Sequence, residues 1–298
     1  MCTEDFGLEL AKAAAEAAGK ESVNKIAEAI KTLFPFLGLK REAIETYVAE
    51  IQKSNLSPEA KLYAISHAKM TYKQLKNQTA IAKIALESAK EGTDFSDKSK
   101  VDNEWLERFL DSAKFVSDEQ IQLLWGNILA KEFETPNSTP PSVVRILSEI
   151  TPVYAKAFQT LCSLSISIVP VNEAGEYLPE EENSIILPSE YEYLNKYGVD
   201  FSTLNELEML GLIKFEGVTG FVLTFQNNTH RFRVTYGPYA ATVMQKADEL
   251  PTGEVVLTKA GESISRFVDR HIISEHFDAV RKYMEDNGVK FSEFSKPI

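Results

Sequence analysis

The chain has 298 residues, which is enough for one large domain or two of ordinary size. Hydrophobic residues make up 44% of it and charged residues 26%, the balance of a globular protein with a packed core. The formal net charge of -12 argues against a broad surface for nucleic acid or anionic lipid, because such surfaces are basic. Any contact of that kind must use a local patch.

The cysteines and the N-terminus indicate a cytoplasmic protein. Cys2 and Cys162 lie far apart, whereas secreted disulfide scaffolds use more cysteines at closer spacing. The first residues lack the basic, apolar and small-residue regions of a signal peptide. No run of about eighteen apolar residues occurs, so we expect no transmembrane segment.

Residues 5–37 are rich in Ala, Glu and Lys, and their apolar residues fall at helical spacing on both sides of Gly19. Helices of this kind pack in a bundle, pair with a second copy or lie on a membrane. Self-association is the functional interpretation we favour, because small residues allow close helix packing. The mixture of Glu and Lys on the polar face argues against an anionic-membrane anchor.

A helix is predicted over 40–53 and a longer one from Pro58 to about residue 91, with a break near Asn77. The run Ser57-Pro58-Glu59 provides a side-chain cap, a proline at the first helical position and an acid in the first turn. One side of the long helix is basic, since lysines recur every seven residues with one more beside them. These are Lys69, Lys73, Lys76, Lys83 and Lys90. The simple interpretation is a solvated face, and the functional one is a contact strip for RNA, an acidic partner or lipid head groups.

Residues 101–133 predict two amphipathic helices joined by a tight turn. Ser117 followed by Gln120 predicts a capping box at the start of the second helix. Trp105 and Trp125 fall inside apolar stripes, so we interpret them as core anchors and not as ligand-stacking residues. Two further helices are expected, one beginning at Pro141 and the next reaching Leu161.

The composition changes after residue 163, where β-branched residues predict a short strand and the polar stretch 172–183 predicts a boundary or an insertion. The remaining third predicts a helix capped by Ser202 and ended by Gly211, with an apolar stripe that includes Met209. Strands follow at 212–215, 221–225, 231–236 and 255–258, then helices from about 260 and at 275–286. This order is typical of a winged helix-turn-helix with an enlarged wing at 216–254.

The fold class predicted is therefore mainly α (α+β), an N-terminal helical bundle followed by a winged-helix-like module. We expect a helical region over 1–100, helical core hairpins over 101–165, and the winged-helix-like module with C-terminal helices over 189–298.

The charges of this module argue against DNA binding. The helix in the recognition position, Phe201–Leu210, carries Glu206 and Glu208 and no Lys or Arg, so it would repel phosphates. The predicted wing does hold Arg231 and Arg233, which are candidates for nucleic-acid or partner contact. A protein-contact or purely structural role is favoured.

No sequence motif for catalysis or for a cofactor was found. Phosphate-binding glycine loops, nucleophile elbows and His-Glu-x-x-His are missing. His271 and His276 are five residues apart and face different directions on a helix, so an ordinary polar face is favoured over a metal site. We expect a protein without catalytic residues, metal or cofactor, although an active site built from distant residues would leave no such motif.

Three segments carry a resemblance to a known family. They are Trp105–Phe109, the run D-E-x-I-Q-x-L-W-x-x-I-L-A-x-E from Asp118 to Glu132, and Pro140–Leu147, followed by "LGLI … LT-x-x-G" between Leu210 and Gly261. Over roughly residues 80–270 the chain resembles the bacterial and prophage families related to abortive-infection alpha (Abi-alpha). The wing at 216–254 and the insertion at 172–188 depart from that pattern.

The resemblance implies non-enzymatic involvement in phage defence through protein–protein contacts, and it brings no catalytic or binding residues with it. One alternative is a DNA- or RNA-binding regulator that uses the wing arginines and the lysines. Another is an effector that perturbs membranes through residues 5–37.

Overall fold

A computed structural model describes residues 41–95, 101–172, 176–178, 182–224, 231–244 and 249–295. It divides into two compact units, Met1–Ser148 and Glu149–Ile298. Together the described residues form an α+β protein with more helix than strand, whose strands are antiparallel. No helix among them is long and apolar enough to cross a membrane. The helices predicted over residues 5–37 lie outside this part of the chain.

The first unit is helical in the part that the structure describes. Its helices are α1 (Arg41–Lys53), α2 (Pro58–Ser88), α3 (Asn103–Ala113), α4 (Glu119–Glu134) and α5 (Pro141–Glu149). The predicted start of α2 is confirmed, because the Ser57 side chain accepts a hydrogen bond from the backbone N–H of Ala60 at 3.2 Å. The break expected near Asn77 is wrong. Asn77 is buried inside α2, where its side-chain amide donates to the Lys114 carbonyl at 2.9 Å.

The core of this unit forms around aromatic rings from α3 and α4. The rings of Trp105 and Phe109 stack at 5.0 Å between centroids, and Phe109 meets Trp125 at 4.7 Å. All three side chains are buried, which confirms that the tryptophans are core anchors. Helix α2 crosses close to α4 at Gly126, where a Cβ atom would lie only 2.5 Å from Cβ of Ile84.

Helix α4 is capped one residue later than predicted. The carboxylate of Asp118, not the Ser117 hydroxyl, accepts hydrogen bonds from the backbone N–H groups of Gln120 and Ile121, both at 3.0 Å. An aspartate caps as well as a serine and also places negative charge at the positive end of the helix. The capping-box prediction at Ser117 is therefore wrong, although the helix is present.

The second unit alternates helices and strands. Its helices are α6 (Pro152–Ser163), α7 (Tyr191–Asn195), α8 (Phe201–Leu210), α9 (Lys259–Ser265) and α10 (Ser274–Asp286). Its strands are β1 (Ser165–Pro170), β2 (Asn183–Ile186), β3 (Ile213–Phe215), β4 (Phe221–Thr224), β5 (Arg231–Tyr236), β6 (Tyr239–Met244), β7 (Glu249–Gly253), β8 (Val255–Leu257) and β9 (Lys290–Ser295).

Seven of these strands form one antiparallel sheet in the order β3-β8-β2-β1-β5-β6-β9, and β4 pairs with β7 in a separate ribbon. One face of the large sheet packs against α10 through Phe277, Val280 and Met284. Alternation along β5 supplies this face with buried Phe232, Val234 and Tyr236. The opposite side chains of β5 point away from that core.

The segment predicted as an enlarged wing, 216–254, is divided between two sheets. Only β4 and β7 form a ribbon, whereas the hairpin of β5 and β6 joins the large sheet between β1 and β9. The apolar alternation of β5 fits the buried face of the sheet, and pairing of Val169 with Arg233 attaches β5 to β1. Such long-range pairing leaves no local pattern in the sequence.

The junction between α8 and α9 gives a structural role to the "LGLI … LT-x-x-G" pattern. Gly211 ends α8 in the left-handed conformation, at φ 85°. The Thr258 hydroxyl donates to the Gly211 carbonyl at 2.6 Å and accepts from the Gly261 N–H at 3.0 Å. A side chain at Gly261 would collide with the carbonyl of Leu212. The residues of this pattern therefore hold the start of α9 against the segment that joins α8 to β3.

Candidate functional site

All five predicted lysines are exposed; four lie on α2, and Lys90 follows two residues after its end. We call them the lysine strip (Lys69, Lys73, Lys76, Lys83, Lys90). Two of them have acidic neighbours, since Lys83 lies 3.7 Å from Glu87 and Lys90 lies 3.7 Å from Glu134. Within the described part of the chain, no carboxylate lies within 4 Å of the other three. Lys69, Lys73 and Lys76 therefore present positive charge that no described carboxylate pairs with.

The two predicted arginines lie on β5 in the large sheet. Arg231 is exposed, and the half-buried Arg233 places its guanidinium 5.0 Å from the ring centre of Tyr177. Both point away from the face that packs on α10, because they alternate with Phe232 and Val234. The structure thus places the two arginines on one face of β5 and brings Arg233 to an aromatic ring.

Helix α8 exposes two large apolar side chains, Phe201 and Met209, on the face that we call its outward face. Phe201 is 57% exposed and Met209 is 76% exposed, although the sequence had placed Met209 in the buried stripe. That part of the prediction is wrong, since α8 buries Leu204 and Leu207 on one side and turns Met209 to the other. The cap is also displaced, because Asp200 and not Ser202 accepts from the Thr203 N–H at 2.8 Å.

Aromatic rings hold Phe201 in place at the start of this face. Its ring meets Phe215 edge-on at 5.5 Å and Tyr191 at 6.1 Å between centroids. The hydrogen bond from the backbone of Thr203 lowers the pKa of Asp200, so the carboxylate that caps α8 stays charged. A helical spacing of eight residues places Met209 on the same side as Phe201. This spacing could have predicted from the sequence that the two side chains share one face of α8.

A buried polar network lies between α7, α10 and the sheet. The ring of His276 is fully buried, with Nδ1 2.8 Å from the Tyr193 hydroxyl and Nε2 2.7 Å from the Leu164 carbonyl. Burial lowers the pKa of His276 to about 4 and raises the pKa of Tyr193. Because both ring nitrogens are engaged, the ring has no lone pair free for a metal ion. No group of three metal-binding side chains occurs among the described residues.

Of the two cysteines in the chain, the structure describes Cys162, which is buried and forms no disulfide. Burial raises the pKa of its thiol to about 12, and the nearby Arg270 opposes that shift only weakly. A thiol with so high a pKa is a poor nucleophile at neutral pH. Cys162 therefore behaves as a small core residue.

A cavity of about 100 Å³ lies in the first unit, beside α3. It is lined by Asp102, Glu104, Trp105, Arg108, Pro141 and Val144. Pockets that bury a drug-sized ligand start at roughly 300 Å³. The cavity is too small for a cofactor, and the carboxylate of Glu104 already pairs with Arg108 at its rim.

The most distinctive motif, Asp118–Glu132, is explained by packing. Glu132 is buried, and its carboxylate accepts hydrogen bonds from the backbone N–H groups of Asn137 and Thr139 at 2.6 and 2.9 Å. Gly126 lacks a side chain and so allows α2 to pack closely against α4, and Trp125 is fully buried in the core. The motif thus shapes the first unit and holds the loop after α4.

Comparison with other proteins identifies a family but not an activity. No curated protein and no solved structure matches the chain. A family model described as "Protein of unknown function (DUF2806)" matches residues 66–281, from within α2 to within α10. The match covers well over half of the chain, and the chain therefore belongs to the DUF2806 family.

Proposed function

We propose that this chain is a non-enzymatic phage-defence protein, related to abortive infection, that acts through protein–protein contacts. The observation that supports a protein–protein contact is the outward face of α8, where Phe201 and Met209 are more than half exposed. The two side chains lie about 12 Å apart along the helix axis, and large apolar side chains exposed on one face are typical of interaction surfaces. The defence setting is supported by the resemblance of roughly residues 80–270 to Abi-alpha proteins.

The charges around α8 favour a protein partner over nucleic acid. Six acids and two lysines lie between residues 189 and 224, a net charge of -4. Glu206 lies on the outward face itself, which carries no Lys or Arg. An apolar patch with an acidic rim fits a partner segment that offers apolar anchors flanked by Lys or Arg.

We further propose that the module predicted over 189–298 contains a winged helix, with β2 as an added strand at its N-terminal side. Helices α7 and α8 are joined by residues 196–200 and followed by β3, the ribbon of β4 and β7, and β8. In the sheet β8 lies between β3 and β2, the order expected when a wing connects two adjacent strands. The helix that reads DNA in such modules would here present its apolar and acidic face to a protein. An experimental structure of the full chain with a different strand order would refute this assignment.

The contact proposal is tested by phage challenge. A susceptible bacterial strain expresses the wild type, or the double variant Phe201→Ser, Met209→Ser, and plaque formation is compared across a phage panel at matched protein levels. We expect protection by the wild type and its loss in the double variant. The control changes Phe115→Ser and Val153→Ser, two other exposed apolar residues. It should protect like the wild type.

Two outcomes count against the proposal. If the wild type protects against no phage, the defence setting is wrong. If the α8 variant protects as well as the control variant, α8 is not the contact surface.

A DNA- or RNA-binding regulator is the second candidate, favoured by Arg231 and Arg233 on one face of β5 and by the contact of Arg233 with the Tyr177 ring. Arginine and aromatic rings together bind phosphates and bases. This candidate requires nucleic-acid binding that weakens with salt and is lost in the double variant Arg231→Glu, Arg233→Glu. A membrane effector acting through residues 5–37 stays a hypothesis, since that segment lies outside the described residues.

A further inference from the structure

The N-terminal half of α2 carries positive charge along one edge. Lys69 and Lys76 are seven residues apart, about 10 Å along the axis and only about 20° short of two full turns, so they stand in one row. Lys73 lies beside this row, one turn from each. These are the three lysines of the strip that have no carboxylate within 4 Å in the described part of the chain, and all three are exposed.

Large apolar side chains stand next to that edge. Leu62 is 69% exposed, Tyr63 is 75% exposed and Met70 is 52% exposed. Tyr63 and Met70 are again seven residues apart, so they form a second row, about 100° around the helix from Lys69 and Lys76. Leu62 continues the lysine row at its N-terminal end.

The same apolar row is covered farther along α2. Ile81 continues the line of Tyr63 and Met70, and it is fully buried in the core that α2 shares with α3 and α4. Toward its N-terminus α2 leaves α3 and α4 and its neighbour is α1, which leaves Tyr63 and Met70 more than half exposed. Its apolar row passes there from the core to the surface, beside the unpaired lysines.

We propose that this face, residues 62–76 of α2, is a peripheral docking surface for an anionic lipid bilayer. The apolar row would enter the interface between head groups and acyl chains, while Lys69, Lys73 and Lys76 reach the lipid phosphates. Tyr63 has the apolar ring and polar tip that suit this depth. These residues belong to a different helix and a different unit from the α8 face, so the proposal adds to the proposed function.

A nucleic acid fits this face less well than a bilayer does. Its phosphates would satisfy the lysines, but Leu62 and Met70 would stay in water, because they offer a phosphate backbone no favourable contact. A bilayer uses both rows at once. Because the three lysines supply the attraction, binding should require anionic lipid and should weaken as salt rises. The net charge of -12 restricts the contact to this local patch.

The test is vesicle flotation with the full chain. Vesicles of phosphatidylcholine alone are compared with vesicles that contain phosphatidylglycerol, at low and high salt. One variant removes the charges (Lys69→Gln, Lys73→Gln, Lys76→Gln) and another removes the apolar row (Leu62→Ser, Tyr63→Ser, Met70→Ser). All six side chains are exposed, so the fold should persist, and circular dichroism checks this. Matched controls change Lys156, Lys259 and Lys282 to Gln, and Val153 and Val218 to Ser, all of them exposed residues.

We expect flotation with the anionic vesicles only. Each lysine near such a surface changes partitioning by about fivefold, so the triple lysine variant should lose about a hundredfold. The apolar variant should also lose binding, and the controls should bind like the wild type. Failure of the wild type to float with anionic vesicles overturns the proposal, as does equal loss in the controls. If RNA or DNA binds and only the lysine variant abolishes this binding, the strip is a nucleic-acid site.

Discussion

Nδ1 of His276 accepts a hydrogen bond from the hydroxyl of Tyr193, at 2.8 Å. The direction follows from the other side of the ring, where Nε2 lies 2.7 Å from the Leu164 carbonyl. A carbonyl only accepts, so Nε2 must carry the proton and Nδ1 the lone pair. Tyr193 lies in turn 3.2 Å from the hydroxyl of Tyr197, which is then the donor. The neutral ring satisfies every polar group in this chain of contacts.

This arrangement predicts that acid destabilises the second unit. Burial lowers the pKa of His276 to about 4 from 6.5, so between these values the unfolded chain binds the proton and the folded chain does not. The stability contributed by the neutral ring is complete above pH 6.5 and falls as the pH drops toward 4. The difference corresponds to on the order of 3 kcal/mol. Urea unfolding at a series of pH values measures it.

The pH dependence of the wild type should be compared with that of the variant His276→Gln. This variant lacks a titrating ring but keeps an amide donor and acceptor. Its free energy of unfolding should be lower at pH 7 and should depend less on pH between 6.5 and 4. An identical pH slope in the two proteins would show that other groups, such as surface carboxylates, cause the acid sensitivity.

A second prediction concerns Glu132, which organises the loop after α4. Its two carboxylate oxygens accept from the backbone N–H groups of Asn137 and Thr139. In Glu132→Gln one oxygen becomes an NH₂ group that faces a donor, so at least one buried N–H loses its partner. We expect a loss of about 1 to 3 kcal/mol in the free energy of unfolding. The exposed Glu107→Gln in α3 is the control and should change stability by less than about 0.5 kcal/mol.

A third prediction concerns the crossing of α2 and α4. In Gly126→Ala the new methyl group would overlap Ile84, so the helices must separate or Ile84 must move. The overlap should cost about 1 to 3 kcal/mol, more than the roughly 1 kcal/mol that alanine gains over glycine in a helix. Adding Ile84→Ala makes room for the methyl group, so the double variant should be more stable than the sum of the single effects. Strict additivity in urea unfolding would contradict the close crossing.

The sequence predicted those features that depend on near neighbours. The start of α2 at Ser57 and the end of α8 at Gly211 are confirmed, because a cap or a left-handed glycine acts within a few residues. The caps of α4 and α8 were assigned to serines, although Asp118 and Asp200 stand within two positions and serve instead. Several residue types cap equally well, so local sequence fixes the place of a helix start only to within a residue or two.

Features set by distant neighbours were missed. Strand β2 was not predicted, because its place between β1 and β8 depends on pairing with residues far along the chain. Met209 was assigned to the core by its hydrophobicity alone, and only the packing of α8 through Leu204 and Leu207 shows that it points outward. For the same reason the lysines of α2 were visible in the sequence, but the exposed apolar row beside them was not.

The last prediction concerns Thr258, whose hydroxyl joins two elements. It caps α9 by accepting from the Gly261 N–H, and it donates to the Gly211 carbonyl at the end of α8. Thr258→Val keeps the shape of the side chain and removes both hydrogen bonds, so the free energy of unfolding should fall by about 1 to 2 kcal/mol. Thr258→Ser keeps the hydroxyl and should recover most of that loss. If the serine variant were as unstable as the valine variant, the methyl group and not the hydroxyl would be what this position requires, and the junction would be held by packing alone.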